Sequence, residues 1–511
     1  MKLLPNNEVA IKVRDPNVVL TLIPHARRHG SNILIMPHQL EETKILRNLG
    51  IKVPSPIVHS YDWPGNFVPF KHQVDTASFV TLHQRCFVLL DMGLGKSIAS
   101  LWAADWLMKQ GLIRKVLILS TLSCLDATWQ REIFRNMMHR TSIVAHGTKA
   151  QRLAAFEEDV DFYIMNHHGM LVMKEEWKRD DIDLIIIDEA AMLRNSQTQI
   201  YKATKKFIEP RHRLWLLTGK PCPNGPTDAW ALARLVSPDR VPQFFTRWKD
   251  ETMRKVSMFK WVPRDGSTQR MFDAMQPAIR YAKKDCLDLP PVTFLDRKVA
   301  MTKQQEQYYQ IMKSKLVVYA QSHQITAANA AILLGKLLQI CAGAVKSDEG
   351  EYLGLDVSPR LEVLGECIEQ SAAKVLVFVP YTGALRQVAD YVRKRWSVEV
   401  VDGSTSRTKR GQIIQAFQDH EHPEVIVAHP QVAAHGLNLT AADTIVWFSP
   451  IHSLDIYDQA NERMARPGQT LETNIVHLGG CGLEWMAYKV LRTRGQAQEE
   501  FLEMFKQELQ A

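Results

Sequence analysis

The sequence predicts an α/β protein with two parallel-sheet lobes, helical insertions between them and a small N-terminal accessory module. Between Cys86 and Leu217, short apolar runs alternate with helical patterns: CFVLL at 86–90, VLILS at 116–120, FYIM at 162–165, LIII at 184–187 and LWLL at 214–217. A second series follows Lys374, with VLVFV at 375–379, VEVV at 398–401, VIVA at 425–428, IVWF at 445–448 and IVHL at 475–478. Continuous apolar runs of strand length, each followed by a helix-length segment, are what buried parallel strands with crossover helices require. The length of 511 residues also exceeds what one core spans, at roughly 150 residues per domain.

Taken in order, residues 1–62 form an apolar-rich module that ends before Trp63-Pro64-Gly65, and residues 63–240 form the first lobe. Residues 241–355 read as a helical and basic insertion with a linker. Within it Leu289-Pro290-Pro291 breaks regular structure, 303–322 and 324–342 have helical patterns, and the polar stretch KSDEGEYLGLD at 346–356 reads as linker. The second lobe follows over 356–490, and 491–511 reads as a C-terminal helix. No repeat of fixed period and no low-complexity segment interrupts this plan.

Apolar residues make up 46% and charged residues 23% of the chain, an ordinary globular balance that excludes wholesale disorder and fibrous repeats. No apolar run reaches membrane-spanning length, and MKLLPNNEVAIK lacks a signal-peptide core. The seven cysteines are odd in number and include no CxxC pair, which argues against a disulfide framework or a zinc knuckle and for a cytoplasmic protein, nuclear if eukaryotic. The net charge of +8 suits an acidic polymer as partner.

The first strand runs into Asp91-Met92-Gly93-Leu94-Gly95-Lys96-Ser97, then into a helical pattern from Ile98 that stops at Gly111. That is the context of a phosphate-binding loop. Glycines let backbone N–H groups approach a triphosphate, the helix N-terminus favours the anion, Lys96 reaches the β and γ phosphates, and Ser97 is a ligand for Mg²⁺. Leu90 stands where the GxxxxGK[ST] pattern has its first glycine. Such a loop needs a carboxylate partner, and LIII delivers Asp188-Glu189 at a strand end. Asp188 would bind Mg²⁺ and Glu189 would orient or deprotonate the attacking water. In the second lobe Arg463 and Arg466 lie three apart, on one helical face. Alone this spacing suits a solvated helix; with Lys96 and Asp188 it suits arginine fingers.

Together these segments resemble the Swi/Snf-related ATP-dependent DNA translocases of helicase superfamily two, over residues 63–490. The resemblance runs through PFKHQ at 69–73, DMGLGKS at 91–97, LSTLSCLDATWQREI at 119–133, DEAAMLRN at 188–195 and LTGKPCPN at 217–224. It continues through MQPAIRYAKKDCLDLPP at 275–291, DGSTSRTKRGQIIQAF at 402–417, AAHGLNLTAADTIVWF at 433–448 and QANERMARPGQT at 459–470. It implies two RecA-like lobes that bind MgATP, with Gln73 at the position that reads adenine and Gly436 and Gln459 also at the nucleotide. It further implies a grip on the phosphate backbone of duplex DNA through Ser120, Thr121, Asn166 and His167 in the first lobe and Gly403, Ser404, Thr405 and Arg410 in the second. Ala191 stands where the family usually has His, Lys220 where it has Thr, and Ser97 where Thr is commoner. The first two changes bear on the coupling of hydrolysis to movement.

Taken singly, the strand-end hydroxyls also suit helix caps and turns. Residues 240–285 carry eleven Lys or Arg against five Asp or Glu, interleaved with Phe244, Phe245, Trp248, Phe259, Trp261, Phe272 and Tyr281. This suits either nucleic acid or the core of a small protrusion with a solvated face. His167-His168 and His435 lack a third ligand at metal spacing, so Mg²⁺ is the one metal expected. The expected function is a DNA-dependent ATPase that translocates on double-stranded DNA as a monomer. The alternatives are a branch-migrating or strand-separating helicase acting on branched DNA, and an ATP-responsive DNA-binding scaffold. Residues 1–62 either pack on the first lobe or choose the substrate or a replication or repair partner.

Overall fold

The computed structural model describes residues 1–65, 67–173, 179–223, 225–256, 261–286, 290–322, 327–346, 352–433, 439–464 and 469–493. They fall into two compact units, Met1–Cys286 and Leu287–Ala511. The first unit opens with a four-stranded antiparallel sheet of β1 (Lys2–Leu4), β2 (Glu8–Lys12), β3 (Arg27–Arg28) and β4 (Ile33–Pro37), in the order β1-β2-β4-β3. Val9, Ile11, Leu34, Met36 and Leu46 form its own buried core.

The main sheet of this unit has seven parallel strands: β5 (Arg85–Leu90), β6 (Lys115–Ser120), β7 (Ser142–Val144), β8 (Phe162–Asn166), β9 (Ile182–Asp188), β10 (Arg213–Leu217) and, after a short hairpin of β11 (Met253–Lys255) and β12 (Trp261–Pro263), β13 (Ala278–Tyr281). Their order is β13-β5-β10-β9-β6-β8-β7. Leu184 to Ile187 are all fully buried, because helices cover both faces and the strand alternates between two apolar layers instead of between core and water. The chain leaves β5 through the helix Lys96–Lys109 and returns as β6, three places away. The gap is later filled by β9 and β10, so the carboxyl ends of β5, β10 and β9 lie side by side.

Residues 60–64 brace that helix from outside. The Trp102 indole donates to the Pro64 carbonyl at 2.8 Å, the Trp106 indole to Ser60 Oγ at 3.0 Å, and the Tyr61 hydroxyl to the buried Asp105 carboxylate at 2.7 Å. Arg140 Nε and His139 also bond Asp105, at 2.7 and 2.9 Å, and the Lys109 ammonium lies 3.1 Å from it.

The second unit holds a six-stranded parallel sheet of β14 (Val292–Lys298), β17 (Lys374–Phe378), β18 (Val398–Val401), β19 (Val425–Ala428), β20 (Ala442–Trp447) and β21 (Thr473–Gly479), ordered β14-β21-β20-β17-β19-β18. A separate hairpin pairs β15 (Ala344–Lys346) with β16 (Tyr352–Gly354). All ten strand runs recognised in the sequence are strands here. Three strands of the two main sheets lie outside those runs. β7, β13 and β14 are edge strands, paired on one side only, so none carries the long apolar run of a central strand. The expected helices appear as Lys303–Ser322 and Ala327–Cys341. The stretch 346–356 needs correction, since part of it is β16 rather than linker. The expected C-terminal helix 491–511 lies almost wholly outside the described residues; 491–493 end the helix Gly482–Thr493.

One buried ion pair ties the second unit together. Arg360, on the helix Ser358–Glu369, meets Glu484, on the helix Gly482–Thr493, through two parallel bonds of 2.9 and 2.6 Å, and both residues are almost completely buried. Arg360 also donates to the Phe448 carbonyl at 2.6 Å, and the Gly480 amide donates to Glu484 at 2.7 Å. Removing one member strands the other charge away from water. Glu484→Gln is expected to cost about 3–5 kcal/mol of stability, measured as the urea midpoint; an unchanged midpoint would contradict this account.

Candidate active site

The phosphate-binding loop is built at the end of β5. Gly93 (φ 85°) and Gly95 (φ 74°) are both left-handed, a backbone state that side chains disfavour. Gly95 has a second constraint, because a Cβ there would run into the Gln73 side-chain amide. Gln73 is buried, and its Oε1 accepts the Phe70 amide at 3.0 Å, so it caps its own helix while its nitrogen lies against the loop. His72 beside it bonds the Leu94 carbonyl at 3.0 Å. The loop start is held from the other side. The Tyr281 carbonyl at the end of β13 accepts the Asp91 amide at 3.2 Å, and Asp91 accepts the Lys283 amide at 3.0 Å. Gly219, after β10, packs so closely that a Cβ would lie 3.3 Å from the Leu90 carbonyl. Met92 and Leu94 lie within this turn, and Lys96, Ser97 and Ile98 begin the helix Lys96–Lys109, with Lys96 buried.

The carboxylates lie at the end of β9, two strands away. Asp188 Oδ2 accepts the Ser120 hydroxyl at 3.0 Å and the Trp129 indole N–H at 3.1 Å, while Oδ1 accepts the Glu189 amide at 3.0 Å. Glu189 is left-handed (φ 48°, ψ 48°) although it carries a side chain, which ends the strand at once. Strain of this kind collects at functional sites, at about 1–3 kcal/mol per residue. His167 lies behind Asp188. Its ring hydrogen-bonds the Asp188 backbone carbonyl, its Nε2 has no hydrogen-bond partner among the described residues, and burial pushes its imidazole down to about 4, the Asp188 carboxylate opposing that shift.

Ser120 and His167 were expected to face nucleic acid, and this needs correction. Both are buried, Ser120 completely, and both are turned toward Asp188. Thr121 bonds Ser123 at 3.4 Å within a turn, and Asn166 accepts from Arg152 at 3.0 Å. In the second unit, Asp402 gathers the following turn: it accepts the Ser404 amide and hydroxyl at 2.9 and 2.6 Å and the Thr405 hydroxyl at 3.1 Å. Gly403 and Ser404 are exposed, and Arg410 Nη2 donates to the Thr405 carbonyl at 3.3 Å. These side chains form a structured, exposed turn.

A second correction concerns Arg463. The helix Leu454–Asn461 stops two residues short of it, so Arg463 does not lie on that helix. Its amide bonds the Ala460 carbonyl at 3.2 Å, its Nε donates to the Gln459 carbonyl at 3.2 Å, and it is 2% exposed. Gln459 lies on the last turn of that helix. Arg466 and Gly436 lie outside the described residues. The basic stretch 240–285 divides between its two readings. Trp248 is core, with its indole on the Pro226 carbonyl at 3.0 Å, and the Lys249 ammonium lies 3.9 Å over the Trp261 ring. Phe244 and Phe272 are exposed, at 66% and 53%. Phe259 lies outside the described residues.

Sequence reasoning missed Trp129, Asp91, Gly219 and His72. All four sit inside segments quoted for their pattern, but their partners lie on other elements of the chain. Residues 72–343, more than half of the chain, match the SNF2-related domain, and residues 359–468 match the helicase conserved C-terminal domain. The chain belongs to the SNF2-related family.

Relatives of this SNF2-related chain include an uncharacterized ATP-dependent helicase of Mycoplasma genitalium, 24% identical, covering 80% of this chain and 39% of the relative. The ISWI chromatin-remodeling complex ATPase ISW1 of Saccharomyces cerevisiae is 25% identical, covering 78% and 37%. The SWI/SNF-related matrix-associated actin-dependent regulator of chromatin subfamily A-like protein 1 of Xenopus tropicalis is 25% identical, covering 84% and 45%. The chain spans less than half the length of these relatives. Among solved structures, the Sulfolobus solfataricus SWI2/SNF2 ATPase core in complex with dsDNA is 21% identical, covering 86% of this chain and 96% of that one, with a TM-score of 0.43.

The SNF2-related loop fits a nucleotide with Mg²⁺. Two left-handed glycines put no Cβ at two positions of the loop, and the available ligands, a Ser hydroxyl and a carboxylate, are the hard oxygens that Mg²⁺ prefers. Gly95→Ala is expected to abolish binding of a fluorescent ATP analogue, through about 1–2 kcal/mol of backbone strain together with displacement of Gln73. Wild-type binding by this variant would contradict the cradle.

His167 predicts a pH effect. Its folded pKa lies below the unfolded value of 6.5, so the unfolded chain binds the extra proton. Its contribution is complete above about 6.5 and is lost as pH falls toward 4, roughly 3 kcal/mol over that window. The difference in unfolding free energy between the wild type and His167→Gln should therefore shift in favour of the variant between pH 7 and pH 4.5. Parallel pH profiles would refute the burial account.

Proposed function

We propose that this chain is a DNA-dependent ATPase that translocates along double-stranded DNA, with hydrolysis coupled to opening and closing of its two lobes. The observation that carries the reading is the convergence, at one sheet edge, of the loop Asp91–Ser97 with the strand end Asp188-Glu189. Lys96 and the loop amides are assigned to the β and γ phosphates, and Gln73, whose amide lies against the loop, is assigned to the base. Bound Mg²⁺, held by Ser97 and Asp188, would neutralise charge on the phosphate oxygens. Glu189 accepts a proton from the attacking water as the water oxygen bonds the γ phosphorus and the bond from that phosphorus to the ADP oxygen breaks, its electron pair leaving with ADP.

Because Arg463 is buried against the Gln459 carbonyl, its part in this reading is to hold the turn, and the guanidinium for the transition state is assigned to Arg466. Ser120 and His167 support Asp188. Contacts to the DNA backbone are assigned to the exposed turn Gly403-Ser404-Thr405, with Arg410 fixing its shape, and to Thr121 and Asn166 in the first lobe. Phosphate-backbone contacts of this kind carry no sequence preference. The names of the relatives, ATP-dependent helicases and remodelling ATPases, support the same activity.

Lys96→Ala is expected to abolish DNA-stimulated phosphate release while DNA binding persists; turnover at the wild-type rate would remove the assignment. Triplex displacement without strand separation is the outcome expected of a translocase. Unwinding of a forked duplex would transfer the reading to a helicase, and ATPase unresponsive to DNA would transfer it to a scaffold.

A further inference from the structure

The Asp188 carboxylate is held by donors from three elements, and their distribution over its two oxygens is unequal. Oδ2 takes the Ser120 hydroxyl from the end of β6 and the Trp129 indole from the π-helical turn Leu125–Gln130. Among the described residues, Oδ1 takes the Glu189 amide alone. An ionised carboxylate has about four acceptor positions, two on each oxygen. Oδ2 is therefore saturated and Oδ1 keeps one open position.

Trp129 is completely buried, and its indole nitrogen only donates, so the direction of this bond is unambiguous. A π-helical turn is uncommon and occurs mostly at functional sites. Here it carries a large side chain whose polar atom reaches the sheet edge instead of ending in the apolar core. Packing alone would be served as well by phenylalanine, which has no such atom.

We propose that Trp129 is a positioning residue for the cation site: by occupying Oδ2, it leaves Oδ1 as the one oxygen of Asp188 that meets Mg²⁺ or its bound water. The inference rests on the nucleotide reading above and goes beyond it in assigning this role to an indole outside the phosphate loop and the carboxylate pair. Partners behind a metal ligand act on metal affinity more than on the binding of the rest of the ligand.

The test is equilibrium binding of a non-hydrolysable ATP analogue to the full chain, with Mg²⁺ and with EDTA. For Trp129→Phe, the gain in affinity that Mg²⁺ provides should fall about ten-fold, with binding in EDTA unchanged. The Mg²⁺ concentration for half-maximal ATPase should rise in parallel. If the variant keeps the full Mg²⁺-dependent gain, or weakens equally in EDTA, the role is packing and the proposal is wrong while the nucleotide reading stands. If the wild type binds no nucleotide in either condition, both readings are wrong. If Trp129→Phe does not fold, replacement of Trp129 by benzothienylalanine, in which sulfur takes the place of the N–H in the same ring shape, must give the same selective loss; a full Mg²⁺ gain in that protein would equally overturn the proposal.

Discussion

Chemistry in the first unit is confined to one edge of its main sheet by the burial of the strands themselves. Ile185, Ile186 and Ile187 have no exposed surface, and this buried middle of β9 offers no polar side chain to a ligand. Polar groups can emerge only where the strands end, and parallel strands all end on the same side. The loop after β5, the carboxylates after β9 and Gly219 after β10 are brought together by that rule and by the order in which the chain fills the sheet.

Close approach then sets the details. Gly95 has no side chain because Gln73 occupies the space, and Gly219 has none because the backbone of Leu90 lies beside it. The loop is consequently enclosed by residues from both ends of the first unit, Gln73 and His72 before it and Tyr281 and Lys283 some 190 positions later. Asp188 is enclosed in the same way, by Ser120, Trp129 and His167, none of which is its neighbour in the chain. In the second unit the analogous constraint is the buried Arg360–Glu484 pair, which joins two helices to the end of β20.

Much of this was legible in the sequence. Nine of the ten strands recognised there are paired on both sides, β18 at the sheet edge being the exception, and Lys96 and Asp188 lie shortly after apolar runs. β7, β13 and β14 were missed because an edge strand has one paired side and needs no such run; β14, with Asp296, Arg297 and Lys298, looks like a surface segment. The expected DNA contacts at Ser120 and His167 failed for a related reason. A hydroxyl or imidazole just after a strand is equally able to turn outward to a phosphate or inward to a carboxylate, and spacing does not distinguish the two. Placing Arg463 on a helical face assumed that the helix reaches it, whereas the helix stops at Asn461, whose side chain accepts the Trp447 indole at 2.8 Å.

By itself the sequence determined the class of the fold, the number of lobes, and the residue types suited to a triphosphate and a divalent cation, because hydrophobic period and motif spacing are local properties of the chain. Only the tertiary structure decided which oxygen of Asp188 is already occupied, which polar side chains face inward, and that Arg463 is enclosed. Those facts depend on distances between residues tens of positions apart, and a one-dimensional pattern carries no record of them.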